Sequence, residues 1–363
     1  AGFMGVLGGI LVLSFYSVVA GWTLHYTLQS LGLRLMGHQD FGEVFNQFVS
    51  NPWKPLVYQY VFLLLTHFVV ARGVESGIER FSKVMMPMLL VIIVLLSCFS
   101  LTMPGAYDGL NFLLKPDFSK VTTRVVLSAM GQAFFSLSVG IGCLATYASY
   151  FKKDTNLVKS AVGVCAIDSM VAIMSGFIIF PAAFSVAGVQ VDSGPGLVYI
   201  TLPHVFNMAF ENIPFIGYLF SALFYVLLLL AALTSTISMH EIATAFIREN
   251  YKCSRQKSAV IVTLICIVLG TACSLSFGPW ADIKIWGMGF FDLFDFLTAK
   301  FIMPLGGILI TMFVEWYLDR KLVVDELTNG GAVRVRGLRF LLFLIRWVAP
   351  IGVGIVFLIV LAG

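Results

Sequence analysis

The stretch QAFFSLSVGIGCLATY at residues 132–147 places two serines and two glycines at every second position of an otherwise apolar segment. Glycine disfavours a helix interior by about 1 kcal/mol relative to alanine, so these small residues weaken a helix here. The backbone groups that a break frees can line a cavity, and the half-helix ends can meet charged groups of a ligand. The pattern therefore predicts a helix broken between about Leu137 and Gly142. Close packing of small residues against a neighbouring helix is the alternative that the residues leave open.

Nine apolar runs, the fourth of which contains this stretch, are each long enough to cross a bilayer, which takes about 20 residues. Hydrophobic residues make up 59% of the 363-residue chain and charged residues only 12%. A soluble domain carries about 25% charged residues, so the solvent of most of this chain is lipid. Because the runs are too continuous for barrel strands, we predict a single all-α, polytopic transmembrane domain over residues 1–363. The runs cover approximately residues 3–31, 55–74, 82–103, 124–150, 158–188, 215–248, 256–277, 286–318 and 337–362.

The loops between these runs are alternately poor and rich in Lys and Arg, beginning with a poor loop that holds Arg34 and Lys54. Positive charge favours the cytoplasmic side, so the first run is predicted to start in the cytoplasm and the C-terminus to lie outside the cytoplasmic membrane. The net charge of +4 includes no basic helix or stripe outside short loops, which argues against nucleic-acid binding. The chain opens at Ala1 inside an apolar run, without a methionine, and we expect it to be truncated there.

The loop VQVDSGPGLVYITLPHVFNMAFENIP at residues 189–214 contains no Lys or Arg. It spaces apolar residues regularly, at Leu197, Ile200, Val205 and Phe206. A flexible loop would expose these side chains to water without a function. We therefore predict an outer re-entrant hairpin that covers a vestibule.

Two further polar features lie inside predicted helices. Thr234, Ser235 and Ser238 fall within about one turn of the sixth run. Hydroxyl oxygens suit a hard cation such as Na⁺, although without further evidence we favour hydroxyls that bond back to the preceding turn. Asp168 lies within the fifth run, where an acid costs about 2.5–3.5 kcal/mol on insertion scales. We favour a place for Asp168 on an ion or substrate path over a packed, neutral aspartic acid.

Four regions of the chain resemble the bacterial branch of the neurotransmitter:sodium symporter family, and the similarity runs through essentially the whole sequence. The resemblance implies an inverted-repeat symporter fold of two five-helix repeats followed by an eleventh helix. This chain would supply family helices three to eleven, nine of the eleven, and the first two helices would be missing. The regions are SFYSVVAGWTLHY at 14–26, GVESGIERFSKVMMPML at 73–89 with LTMPGAYDGL at 101–110, GQAFFSLSVGIGCLATYASYFKKD at 131–154, and GPGLVYITLPHVFN at 194–207.

The resemblance also implies roles for individual residues. Tyr16 matches the tyrosine that binds the substrate carboxylate, and Asp168 falls at the family's first sodium site. The implied substrate-binding residues are Val12, Tyr16, Phe135, Ser136, Ser138, Ile141, Ser235 and Met239. The implied sodium-binding residues are Ser136, Asp168, Ala231 through its carbonyl, Thr234 and Ser235. The implied outer gate is formed by Gln132 and Asp295, and the implied inner gate by Tyr150 and Glu249.

The function that the resemblance implies is sodium-coupled symport of a neutral amino acid by alternating access in a bilayer, with a homo-oligomer as one option for its assembly. Na⁺ would be the co-transported ion, without an organic cofactor and without covalent chemistry. Asp168 brings a fixed negative charge to the sodium, and Ala172 offers no hydroxyl to a chloride, so we predict chloride independence. The alternatives are an inactive fragment or a non-transporting membrane subunit. An intramembrane enzyme would need a nucleophile–base pair or facing aspartates, and Asp168 is the only central acid that we identify.

Overall fold

The computed structural model describes residues 2–35, 40–152, 154–185, 195–333, 335 and 337–362. These parts of the chain are nearly all helical. The α-helices are α1 (Gly2–Leu31), α2 (Phe41–Val49), α3 (Lys54–Ala71), α4 (Arg80–Ser100), α5 (Ala106–Leu114), α6 (Thr123–Ser136), α7 (Cys143–Ala148), α8 (Leu157–Phe184), α9 (Leu202–Ala209), α10 (Pro214–Tyr251), α11 (Arg255–Leu275), α12 (Phe290–Phe296), α13 (Met303–Met312), α14 (Arg320–Thr328), α15 (Leu338–Phe343) and α16 (Ala349–Ala362). Turns of π-helix lie at Val74–Glu79, Leu197–Thr201, Leu297–Ile302, Phe313–Tyr317 and Leu344–Val348, and a 3₁₀ turn at Phe118–Lys120.

Eight helical segments within the described ranges are long and apolar enough to cross a membrane. The predicted run at 124–150 contributes none of them, because it is divided into α6, with 14 residues, and α7, with 6. Neither half can cross a hydrocarbon core of about 30 Å at 1.5 Å per residue. The predicted break is therefore confirmed. The spans are α1, α3, Gly77–Ser100, α8, α10, α11, Phe290–Tyr317 and Leu338–Ile355.

The eighth predicted run differs from a regular helix at its start and in its middle. Its helix begins at Phe290 rather than at residue 286, because Trp286 and Gly287 have φ angles of 55° and 79° and cannot continue a right-handed helix. Within the run, Pro304 lacks the N–H that would bond one turn back, and the π-helical turn Leu297–Ile302 lies just before it. The span is thus helical but not uniform.

The centre of the molecule is a core in which α1 and α10 pack along each other, with α3 and α11 against both. Polar side chains join these helices as well as apolar packing. Gln59 of α3 donates from Nε2 to the Ser17 Oγ of α1 at 3.0 Å, and the hydroxyls of Thr66 and Thr236 lie 2.9 Å apart. Interhelical hydrogen bonds of this kind hold helices in register in lipid. The core therefore provides a rigid wall beside the broken helix.

The predicted hairpin at 189–214 is described only from residue 195, since residues 189–194 lie outside the described part. From Leu197 to Ala209 the chain forms one continuous helical segment, the π turn followed by α9. Most of its apolar side chains are buried or partly buried, although Met208 is 45% exposed, and the Tyr199 hydroxyl lies 2.7 Å from the Thr23 hydroxyl of α1. The segment also packs against α2, α8 and α10, which cover most of its apolar residues.

Candidate functional site

The break between α6 and α7 is built from left-handed backbone conformations. Ser138, Gly140 and Gly142 have φ angles of 52°, 91° and 82°. A side chain at Gly140 would place its Cβ 2.1 Å from the carbonyl oxygen of Met303, and one at Gly306 would lie 2.3 Å from the carbonyl oxygen of Gly140. The broken stretch and α13 therefore touch backbone to backbone, at a distance that only glycine permits. The two interpretations of the small residues, a broken helix and close packing against a neighbouring helix, are therefore both correct.

The opposite side of the break faces the N-terminal half of α1. A Cβ at Gly5 would lie 2.8 Å from the carbonyl oxygen of Ile141, and Gly142 approaches Gly5 closely as well. Ile242 of α10 completes the surroundings, with its side chain about 4.0 Å from a Cβ built at Gly142. The unwound backbone is thus held between α13 on one side and α1 with α10 on the other.

Side chains expected to bind the substrate come together only in part. The Tyr16 hydroxyl of α1 is placed against the Ser235 side chain of α10. Val12 and Ile141 are buried at 1% and 2% exposure, and Ser138 and Met239 are partly buried. Phe135, expected as a lid over the substrate, is 39% exposed. The residues that contact each other line the α1–α10 face, while Phe135 and Ser136 lie on the open side of α6.

The residues expected to bind sodium form two oxygen pairs. The Ser136 hydroxyl donates to Asp168 Oδ1 at 2.7 Å, which joins α6 to α8. The Thr234 hydroxyl donates to the Ala231 carbonyl at 2.9 Å within α10. Oxygen atoms of hydroxyls, carbonyls and carboxylates are the ligands that hard cations take. The described residues contain no cluster of three His, Cys, Asp or Glu side chains, so a transition-metal site has no support there.

The hydroxyls of α10 bond back to the preceding turn, as the sequence favoured. Besides the Thr234 bond, Ser238 donates to the Thr234 carbonyl at 3.1 Å. A hydroxyl that donates its single hydrogen still keeps lone pairs, and so does the accepting carbonyl. Back-bonding is therefore compatible with cation binding by Thr234 and Ala231.

The end of α10 carries a network that links three further segments. Tyr150 donates to Glu241 Oε1 at 2.7 Å, and the Arg255 guanidinium pairs with both oxygens of the same carboxylate. The Arg255 Nε donates to the Val70 carbonyl at 2.8 Å, at the end of α3. The Glu241 side chain is 0% exposed and that of Arg255 is 13% exposed. Glu249, the other residue of the implied inner gate, is exposed eight residues further along α10.

Several of these residues were not expected from the sequence. Glu241 lies inside the predicted run at 215–248, and the cost of placing an acid in a membrane helix is the signal that could have singled it out. Tyr147 of α7 donates to Ser238 at 2.8 Å, but an aromatic residue in an apolar run carries no such signal. The expected outer-gate residues Gln132 and Asp295 are both exposed, and no hydrogen bond joins these two described side chains.

This chain is similar in sequence and in fold to known membrane transporters. Residues 46–362 match the sodium:neurotransmitter symporter family. The uncharacterized sodium-dependent transporter YhdH of Bacillus subtilis is 40% identical over 359 residues, which are 98% of this chain and 78% of YhdH. A sodium-dependent transporter of Haemophilus influenzae is 32% identical over 324 residues, which are 87% of this chain and 70% of the relative. The crystal structure of MhsT in complex with L-phenylalanine matches with a TM-score of 0.87 and 38% identity, over 98% of this chain and 80% of MhsT.

Proposed function

Because this chain belongs to the sodium:neurotransmitter symporter family, we propose that it moves a neutral amino acid together with sodium across the cytoplasmic membrane by alternating access. The observation that carries the proposal is the break at residues 137–142, which packs against α1 and α10, the two helices whose Tyr16 and Ser235 side chains meet. The relatives are sodium-dependent transporters and not enzymes. Na⁺ is accordingly the co-transported ion of the family, and no organic cofactor enters the proposal.

The substrate assignment rests on the chemistry of the α1–α10 face. In this proposal the Tyr16 hydroxyl donates a hydrogen bond to the α-carboxylate of the amino acid, with Ser235 orienting the phenol. Val12, Ile141 and Met239 offer apolar surface to the side chain of the substrate, which favours a neutral amino acid. The phenylalanine bound in MhsT, at 38% identity, supports the same substrate class for this chain.

Sodium binding follows from the two oxygen pairs. We assign one Na⁺ to Ser136 and Asp168, between α6 and α8, and a second to Ala231, Thr234 and Ser235 on α10. Occupation of the first site would hold the end of α6 against α8, next to the break. Since the break separates the substrate-facing half-helices, sodium and substrate would stabilise the same arrangement, which is the physical basis of coupling.

Replacing Thr234 with alanine, or Asp168 with alanine, is expected to weaken the apparent sodium affinity of transport by about tenfold, because each change removes an oxygen ligand. The measurement is uptake of a radiolabelled neutral amino acid against sodium concentration, in proteoliposomes that contain the protein. Thr311→Ala is the matched control, since the Thr311 hydroxyl also bonds back to carbonyls within a membrane helix. Unchanged sodium affinity in both site variants would count decisively against the assignment.

Transport is expected to proceed without chloride, because Asp168 supplies a fixed negative charge beside the first sodium. A charge pair about 4 Å apart at an effective dielectric constant near 20 interacts by about 4 kcal/mol, enough to make a second anion redundant. Ala172, on the same helix, presents no hydroxyl to a halide. Uptake at fixed sodium should be equal in gluconate and chloride buffers, and Asp168→Asn should weaken sodium binding with partial rescue by chloride. A strong loss of wild-type uptake in gluconate would remove this role from Asp168.

We further propose an orientation and a pair of gates. The loop charges favour a cytoplasmic N-terminal end of α1 and an extracellular C-terminus. In that orientation the network of Tyr150, Glu241 and Arg255 lies at the cytoplasmic end, where it would close the inner side of the transporter. Glu249 is proposed as a further residue of this inner gate. Gln132 and Asp295 remain the proposed outer gate. The match to YhdH covers 98% of this chain and does not support the expectation that two family helices are missing.

A further inference from the structure

A cavity of about 440 Å³ lies away from the broken helix, between the C-terminal end of α1, α2 and the beginning of α3. Its first lining residue, His25, lies nine residues beyond Tyr16, which is about 13 Å along a helix, so the cavity is separate from the proposed substrate site. The loop charges place it on the extracellular side. The described residues that line it are His25, Tyr26, Gln29, Arg34, Leu35, Val44, Gln47, Phe48, Asn51 and Lys54.

Two buried polar atoms of this lining lack a partner among the described residues: the Tyr26 hydroxyl and the Nδ1 of His25. Tyr26 is only 1% exposed, and the His25 ring is fixed by stacking on Phe48 at 4.0 Å between centroids. Buried polar groups in proteins are almost always hydrogen bonded. The two groups are therefore available to a molecule bound in the cavity.

The charged side chains among the described residues of the lining are all cationic. Arg34 and Lys54 contribute cationic groups, and no acidic residue is among the described residues of the wall. The Asn51 Oδ1 already accepts from the backbone N–H groups of Trp53 and Lys54, so its amide NH₂ is the group left to donate. Donors and positive charge around one partly open cavity, whose Arg34 and Lys54 are exposed, favour an anion.

The volume of the cavity and its apolar walls indicate which kind of anion would fit. A cavity of this volume falls in the range of small-molecule sites, whereas a water molecule occupies about 30 Å³. Leu35, Val44 and Phe48 provide apolar surface for a hydrocarbon portion. An amino-acid zwitterion would bring an ammonium group to a wall whose described residues include two cationic side chains and no carboxylate.

We propose that this cavity is a second, extracellular binding site for a small organic carboxylate that has an apolar portion and no amino group. Lys54 and Arg34 attract the carboxylate, and the Tyr26 hydroxyl and the Asn51 amide donate hydrogen bonds to it. The ligand would join the end of α1 to α2 and to the start of α3. The site does not depend on sodium, since none of its lining is shared with the proposed sodium sites.

The test is calorimetric titration of phenylacetate into the purified chain in phosphatidylcholine nanodiscs, in sodium-free buffer. Phenylacetate should bind, and its neutral amide, phenylacetamide, should bind at least about tenfold more weakly, because it lacks the charge that strengthens the hydrogen bonds. Lys54→Gln and Tyr26→Phe should each weaken phenylacetate binding by about threefold to tenfold. The matched controls are Lys284→Gln and Tyr107→Phe, both exposed residues outside the cavity, which should leave binding unchanged.

Equal binding of acid and amide, or equal binding by wild type and both cavity variants, overturns the proposal. Binding of phenylalanine as tight as that of phenylacetate, and weakened by Lys54→Gln, would overturn it in favour of a zwitterion site. Phosphatidylglycerol nanodiscs provide the last arm: loss of phenylacetate binding there would assign the cavity to the headgroup of an anionic lipid instead. Because sodium is absent throughout, failure of the transport proposal would leave these outcomes unaffected.

Discussion

Replacing Arg255 with alanine is expected to lower the free energy of unfolding by about 3–5 kcal/mol, because it leaves the Glu241 carboxylate as an uncompensated buried charge. Tyr150 would still donate one hydrogen bond to that carboxylate, but no cation would remain beside it. The measurement is denaturant- or heat-induced unfolding of the protein in detergent micelles, followed by loss of helical signal.

Arg248→Ala is the matched control, since Arg248 is an exposed arginine near the end of α10. Its effect should stay within about 0.5 kcal/mol, as for most surface substitutions. A double variant, Glu241→Met with Arg255→Met, should recover much of the loss, because two apolar side chains can replace a buried ion pair of similar volume. Equal stability of Arg255→Ala and Arg248→Ala would show that the ion pair is not buried in the protein.

Replacing Gly140 with alanine is the second large effect, with an expected loss of about 2–5 kcal/mol of unfolding free energy. A left-handed backbone conformation costs an L-residue roughly 1–2 kcal/mol, and overpacking a close contact adds about 1–3 kcal/mol. Here the new methyl would lie 2.1 Å from the Met303 carbonyl oxygen. Because that oxygen belongs to the backbone, it cannot move away by a change of rotamer as a side-chain atom can. The same unfolding measurement detects the loss, and uptake should fall with it.

Gly163→Ala is the control for this substitution. Gly163 lies within α8, and a Cβ there would meet nothing within 4 Å. Alanine should therefore stabilise the helix slightly, by up to about 1 kcal/mol. If Gly140→Ala were as stable as Gly163→Ala, the close approach of the broken stretch to α13 would be wrong.

The two predicted losses of stability involve contacts at the two ends of the same half-helix, α7. α7 begins directly after the left-handed Gly142, and Tyr150, just beyond the end of α7, binds Glu241. The short segment between them is thus held at its start by glycine packing and at its end by the ion-pair network. Movement of this half-helix during transport would have to release one of the two contacts.

The sequence alone predicts the break but only part of the candidate site. The glycine and serine spacing at 132–147 is a local property, and so is the weakness of the helix that it causes. The pairing of Ser136 with Asp168 joins residues 32 apart in sequence, and its prediction came from the family resemblance rather than from spacing. The roles of all the implied site residues remain predictions, and the side chains of Phe135, Gln132 and Asp295 are exposed.

By itself the sequence determined that this protein is a bundle of membrane-spanning helices with one helix broken at its centre. Lipid offers backbone polar groups no partner, so the lengths of apolar runs and the positions of glycines leave few other solutions. Only the tertiary structure decided that Tyr150 binds Glu241 and not Glu249. The two acids are eight residues apart, about 12 Å along α10, and either could have met the tyrosine as far as the sequence shows. Which one lies level with Tyr150 depends on how far α7 and α10 slide along each other, and contacts between segments distant in sequence set that distance.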